Sequence, residues 1–159
     1  VRAGSLDERR LTKSIIETFK ELAELLVKDA EGATKLIKVK ISKAKNPEQA
    51  RSVAFTVAES PLVKTAMFGS DANWGRILSA IGRDKTVESL DKLQIKLNGL
   101  PLVRKGFVDS RYSEKASSDA MKKKRITIEI VIGTGNDKFE VLTSDLSEDY
   151  VLINSDYRS

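Results

Sequence analysis

The 159-residue chain contains no cysteine and no histidine. That removes disulfides, thiolate nucleophiles, the usual zinc sites and every imidazole acid–base scheme, so no metal site is expected. Any chemistry must run on Thr, Ser, Lys, Asp, Glu or a chain terminus. Aromatic residues make up 6% of the chain and tryptophan occurs once. No apolar run reaches the ~18 residues a membrane helix needs, and no basic-then-apolar leader is present, so a cytoplasmic protein without a membrane partner is expected. Positive charge is only in mild excess, 28 Lys and Arg against 23 Asp and Glu. Lys and Glu alternate along almost every segment instead of gathering on one face, so no nucleic-acid partner is expected. The one dense block, "KKKR" at Lys122 to Arg125, reads either as a solvated approach to a strand or as a phosphate-binding patch.

With 40% apolar residues, the chain suits one compact domain, or a domain with a helical extension. "SLDE" at Ser5 to Glu8 has the form of a capping box. Leu11, Ile15, Phe19, Leu22 and Leu26 follow at helical spacing. Residues 1–29 therefore read as an amphipathic helix that must lie either on this domain or on structure upstream, and 30–159 as the domain proper. The chain starts at Val1 rather than Met, so the gene is expected to begin upstream. "LIKVKIS" alternates as a half-buried strand, with Ile37, Val39 and Ile41 on one face. "NPEQARSVAFTVAES" opens with Asn as N-cap and Pro at the first helical position, and turns Ala50, Val53, Ala54 and Val57 inward. A further helix is expected over Asn73 to Ile81, with Gly82 as a left-handed cap.

The second half is strand-rich. "LQIKLNGLPLV" predicts a hairpin turning at Asn98-Gly99. "ITIEIVIGTGNDKFEVLT" predicts a second hairpin, with Ile126, Ile128, Ile130 and Ile132 on one face. A short helix is expected near Ser117 to Met121, and another at the end, closing near Asn154. The class is α/β in the α+β sense, a mainly antiparallel sheet with helices packed on one face.

Few stretches have the makings of a site. "GTGND" lacks the further glycines or the GK[ST] of a nucleotide loop and leads into a strand, so it reads as a turn. Glu31, in "DAEGATK", follows the end of the first helix, where the dipole disfavours acid. It is either a solvated loop residue or a carboxylate waiting for a substrate ammonium, and an exposed Lys35 partner would favour the former. "SPLVKTAMFGSDANWGRI", Ser60 to Ile77, is too elaborate for a helix connector. Trp74 suits a core, Asp71 and Asn73 suit capping, and Lys64 and Arg76 suit a surface. Together, a sharp Gly-containing loop, a helix N-terminus and two cations also make an anion-site arrangement. Asn154 reads as a helix C-cap and Ser159 as a frayed end.

"EGATK", "SPLVKTAMFGSDANWGRI" and "SDLSEDYVLINSDYRS", in that order, closely resemble the β chain of the glutamate N-acetyltransferase family, also called ornithine acetyltransferases, of arginine biosynthesis. The resemblance runs from about Lys28 to Ser159. It implies a precursor that cleaves itself into α and β chains and exposes an N-terminal Thr, which carries an acetyl group from N2-acetyl-L-ornithine to L-glutamate. A Thr that uses its own α-amine as base needs neither His nor Cys. The family's substrate-binding residues fall on Glu31, Asn154 and Ser159, while its nucleophilic Thr falls upstream, so no catalytic residue is assigned and this chain alone is expected to be inactive. The resemblance further implies an α chain and an upstream β-chain segment as partners, in a tetramer of two α and two β chains. It calls for no cofactor, with acetyl-CoA as a co-substrate only if the enzyme is bifunctional. Ala30 stands where the family usually has Gly. Two other readings stay open: a non-catalytic amino-acid-binding or interaction module on the same fold, and a basic nucleic-acid module using Lys122 to Arg125.

Overall fold

The computed structural model describes residues 4–157. Six helices and six strands follow one another as α1 (Leu6–Lys28), β1 (Leu36–Ala44), α2 (Pro47–Ala58), α3 (Pro61–Phe68), α4 (Trp74–Gly82), β2 (Gln94–Leu97), β3 (Leu100–Arg104), β4 (Phe107–Val108), α5 (Glu114–Met121), β5 (Arg125–Val131), β6 (Asp137–Ser144) and α6 (Glu148–Asp156). The strands form one sheet in the order β4-β3-β2-β5-β1-β6. Only β1 and β5 run parallel, so the sheet is mainly antiparallel, as the sequence leads one to expect.

Alternation decides the core face. Ile37, Val39 and Ile41 of β1 and Ile126, Ile128 and Ile130 of β5 are buried side by side in matched register. Ala50, Val53, Ala54 and Val57 of α2 close over them without exposure to solvent. Asn46 caps α2 by accepting from Gln49 N, with Pro47 in the first turn, where its missing N–H costs nothing. At the β2–β3 turn Asn98 and Gly99 both take positive φ, 49° and 83°, as the twist-matched hairpin requires.

Two expectations fail in informative ways. Gly82 is the last residue of α4, and Arg83, in right-handed conformation, takes the C-cap. More consequentially, β5 and β6 are not a hairpin, because β1 lies between them and pairs with both. The "GTGND" loop instead steps across the end of β1, where Gly135 N donates to Lys43 O (3.1 Å) and Ile132 N to Ser42 O (3.1 Å). Alternation reports which face a residue takes, not which strand lies beside it.

α1 rests near β1 and β6 and is tied to β5 by the Glu24–Arg125 ion pair. Its apolar stripe does not join the core: Leu11, Ile15, Phe19, Leu22 and Leu26 are 45–75% exposed.

Asp84, just after α4, fastens that helix to α2. Its carboxylate accepts from Ser52 Oγ (2.7 Å), Thr56 Oγ1 (3.2 Å), Thr86 N (2.8 Å) and Thr86 Oγ1 (2.6 Å). Burial pushes its pKa up, but the bonds from Thr86, Ser52 and Thr56 outweigh it and hold the carboxyl below its ordinary range. A depressed folded pKa contributes stability above the unfolded value, lost as pH falls through the folded one. Asp84→Asn is expected to cost about 1–3 kcal/mol at pH 7. In urea denaturation its deficit against the unsubstituted chain should shrink below about pH 4.

Candidate functional site

The site grows from the segment between α1 and β1. α1 ends at Lys28, Asp29 N closes its last turn on Leu25 O (2.9 Å), and Ala33 N turns back onto Ala30 O (3.0 Å). Gly32 sits at φ 65° with its Cα against the first turn of α6, where an added Cβ would lie 2.7 Å from Tyr150 N. Only glycine meets both conditions. Glu31 is thereby held at the surface beside α6.

α6 begins at its N-cap Ser147, whose hydroxyl accepts from Tyr150 N (3.2 Å) and donates to Gly32 O (2.6 Å). Two turns on, on the same face, stands Asn154. Its Nδ2 donates to Glu31 Oε2 (2.5 Å) and to Tyr150 O (2.8 Å). Glu31 and Asn154, 123 positions apart, are thus in direct contact. Asn154 is an interior residue of α6 rather than its C-cap, which is Tyr157. Ser159 lies outside the described residues. Glu31 Oε1 accepts no hydrogen bond among the described residues, and no cation pairs with this carboxylate there.

Lys35 is not its partner. The ammonium turns the other way and donates to Met67 O (2.5 Å), Ser70 Oγ (2.8 Å) and Phe68 O (3.4 Å), at the carbonyl-rich end of α3. Burial lowers the Lys35 pKa, and the charge of Asp145 opposes that shift. Asp145 is itself buried, 3% exposed, and receives the loop: Thr34 N at 2.8 Å, Lys35 N at 2.9 Å, and the Thr34 hydroxyl.

These contacts explain the long stretch from Ser60 to Ile77. It is not a connector but two helices, α3 and α4, joined by a turn. The left-handed position in that turn is Ser70 (φ 56°) rather than Gly69, and the Ser70 hydroxyl receives Lys35. The end of α3 thus braces the loop that carries Glu31, and Lys64 O of α3 accepts from Leu146 N (3.3 Å). Several groups of the anion-site arrangement are engaged internally, although Lys64 Nζ makes no hydrogen bond or ion pair among the described residues. Asn73 caps α4 by accepting from Arg76 N (3.0 Å) while donating to Asp71 (2.9 Å). The Arg76 guanidinium donates to Leu62 O (3.1 Å) and Thr65 Oγ1 (3.2 Å) of α3. Trp74 packs half-buried against the core.

The basic block is a solvated approach to β5. Lys122 pairs with Asp119 (2.7 Å) and Arg125 with Glu24. Asp145 and Ser147 were not singled out from the sequence. The only advance signal is Ser147 before Glu148 and Asp149, an N-cap with acidic residues in the first turn.

Relatives share this sequence along its whole length. A family model described as the ArgJ family matches residues 2–159. The arginine biosynthesis bifunctional protein ArgJ of Bradyrhizobium diazoefficiens is 41% identical over 158 residues, spanning 99% of this chain and 38% of that protein. Its namesake from Caulobacter vibrioides is 44% identical over 158 residues, spanning 99% of this chain and 39% of its own length. The crystal structure of ArgJ from Bacillus halodurans superposes with a TM-score of 0.92 at 31% identity, covering 99% of this chain and 74% of that one. The chain thus spans about two fifths of the length of these curated relatives, and it belongs to the ArgJ family.

Proposed function

We propose that this chain is the substrate-binding portion of an acetyltransferase that moves the acetyl group of N2-acetyl-L-ornithine to L-glutamate. The carrying observation is the exposed Glu31 carboxylate, one oxygen held by Asn154 and the other without a hydrogen bond among the described residues. An oriented carboxylate with an open lone pair suits a substrate ammonium, and the neighbouring amide suits the substrate's other polar groups. Ser159 completes the set by resemblance.

The acetyl-enzyme forms on a Thr upstream of this chain, made N-terminal by self-cleavage of the precursor, with its α-amine as general base. The length of the relatives supports an α chain and an upstream β-chain segment as partners, and the resemblance implies a tetramer of two α and two β chains. Those partners are also supported by the exposed apolar stripe of α1 and the exposed Tyr150, Val151, Leu152 and Ile153 of α6, which have the character of surfaces that other chain covers. Residues 1–29 then continue an upstream β-chain domain and 30–159 form the C-terminal one. The reaction is placed in the cytoplasm and needs no resident cofactor, with acetyl-CoA entering only as a second acetyl donor.

The test is acetyl transfer from N2-acetylornithine to glutamate, comparing this chain alone with the same chain expressed with its upstream gene segment. Activity in the longer form only is expected. Absence of transfer in both, with both folded, would leave an amino-acid-binding module on a family scaffold.

A further inference from the structure

Glu31 is exposed and packs against little, so its place depends on how its loop is tied down. Besides the Lys35 contacts with the end of α3, the ties lead to one short segment, 145–147. Asp145 Oδ1 takes both Thr34 N and Lys35 N, Oδ2 takes the Thr34 hydroxyl, and Asp145 N donates back to Lys35 O (3.3 Å). Two residues on, Ser147 Oγ donates to Gly32 O. Both side chains are 3% exposed. The buried carboxylate has no ion pair among the described residues, since Lys35 Nζ points into the end of α3. Its negative charge is satisfied by two main-chain amides and a hydroxyl of one loop.

We propose that Asp145 is a positioning residue for the amino-acid site, acting through the Thr34–Lys35 backbone to hold Glu31 opposite Asn154. The segment that grips the Glu31 loop leads directly into α6, which carries Asn154. One carboxylate therefore fixes the spacing of two groups that no covalent proximity relates, before any substrate arrives. A donor set preorganised in this way loses little freedom on binding, whereas a loosened one must be reordered at the expense of affinity. The inference rests on the acetyl-transfer reading of Glu31 given above.

The experiment uses the complete enzyme, with its upstream segment, carrying Asp145→Ala, Asp145→Asn, Glu31→Gln and the pair Glu31→Gln/Asp145→Ala. Asp145→Ala is expected to raise KM for N2-acetylornithine about tenfold with kcat little changed. Asp145→Asn should recover most of the loss, because its carbonyl oxygen can still accept both amides from the Oδ1 position. The double variant should bind no worse than Glu31→Gln alone, since displacing a group already disabled costs nothing more. Amide hydrogen exchange at Thr34 and Lys35 should quicken in Asp145→Ala while that of β5 stays slow. A folded Asp145→Ala enzyme with unchanged KM, or a double variant whose losses multiply, would overturn the positioning role. Wild-type KM in Glu31→Gln would overturn the substrate reading itself, and is seen without touching Asp145. If Asp145→Ala does not fold, Thr34→Val keeps the side-chain shape and removes only the bond to Oδ2. A rise in its KM with an unshifted melting temperature supports the clamp, and an unchanged KM refutes it.

Discussion

Gly135→Ala is expected to destabilise the chain by about 3–5 kcal/mol, near the upper end of what one substitution does. A Cβ at Gly135 would lie 1.8 Å from Ala44 O and 2.5 Å from Ala44 C. Both are main-chain atoms at the end of β1, beside the bulge where Lys43 takes φ 61°. The obstacle cannot rotate away as a side chain would. Relief requires either lifting the 133–136 loop, which breaks the Gly135 N to Lys43 O bond, or shifting β1, which carries the core residues Ile37, Val39 and Ile41 between two neighbouring strands. Either route costs more than the left-handed preference of an ordinary turn glycine. Gly82 is the control: it is helical, and a Cβ there meets nothing within 4 Å. Gly82→Ala should raise stability by about 0.5–1 kcal/mol through helix propensity and lost chain entropy. Thermal melting of both variants reads the contrast, with a fall of about 10 °C for Gly135→Ala. A melting point near wild type would mean that the loop does not cross β1 as described.

That prediction comes from the place where sequence and structure part. The strand faces, α1, α2 and the Asn98-Gly99 turn were legible because each follows a local period or a local dihedral demand. The insertion of β1 between β5 and β6 was not, since "GTGND" between two alternating runs is what a hairpin looks like locally. α3 was missed for a related reason. Pro61 looks locally like a stop for the preceding helix, but it also opens the next one with Ser60 as N-cap. Within the site, Glu31 stood out through its awkward place after a helix C-terminus and the adjoining glycine. Its contact with Asn154 and its tie to Asp145 join positions more than a hundred residues apart, and no periodicity carries that information. The motifs resembling the family bridged part of the gap, placing Glu31 and Asn154 in one site without saying what holds them there.

Glu31→Gln should separate binding from folding cleanly. Glu31 is exposed, and Gln can still accept from Asn154 Nδ2, so stability is expected to stay within about 0.5 kcal/mol of wild type. The loss falls on the substrate. On the proposed function the donor is N2-acetylornithine, which has its α-nitrogen acylated and keeps a single ammonium at the far end of its side chain, so one carboxylate facing that charge would read it. Replacing a charge-assisted contact by a neutral amide removes about 2 kcal/mol, or about 30-fold in binding. Because the ammonium is remote from the acyl carbon, the contact is equally strong in ground and transition states, and the change should appear in KM while kcat holds. Asn154→Asp is a harsher probe of the same pair, placing a second carboxylate against Glu31 Oε2 where an amide N–H now donates. Without the amide donor Glu31 is no longer held in place, so KM for the donor should rise in Asn154→Asp while kcat holds, and an unchanged KM would mean that Asn154 does not orient the carboxylate. A Glu31→Gln enzyme that loses kcat at unchanged KM would instead put Glu31 in contact with the reacting centre, and the ammonium would need another partner.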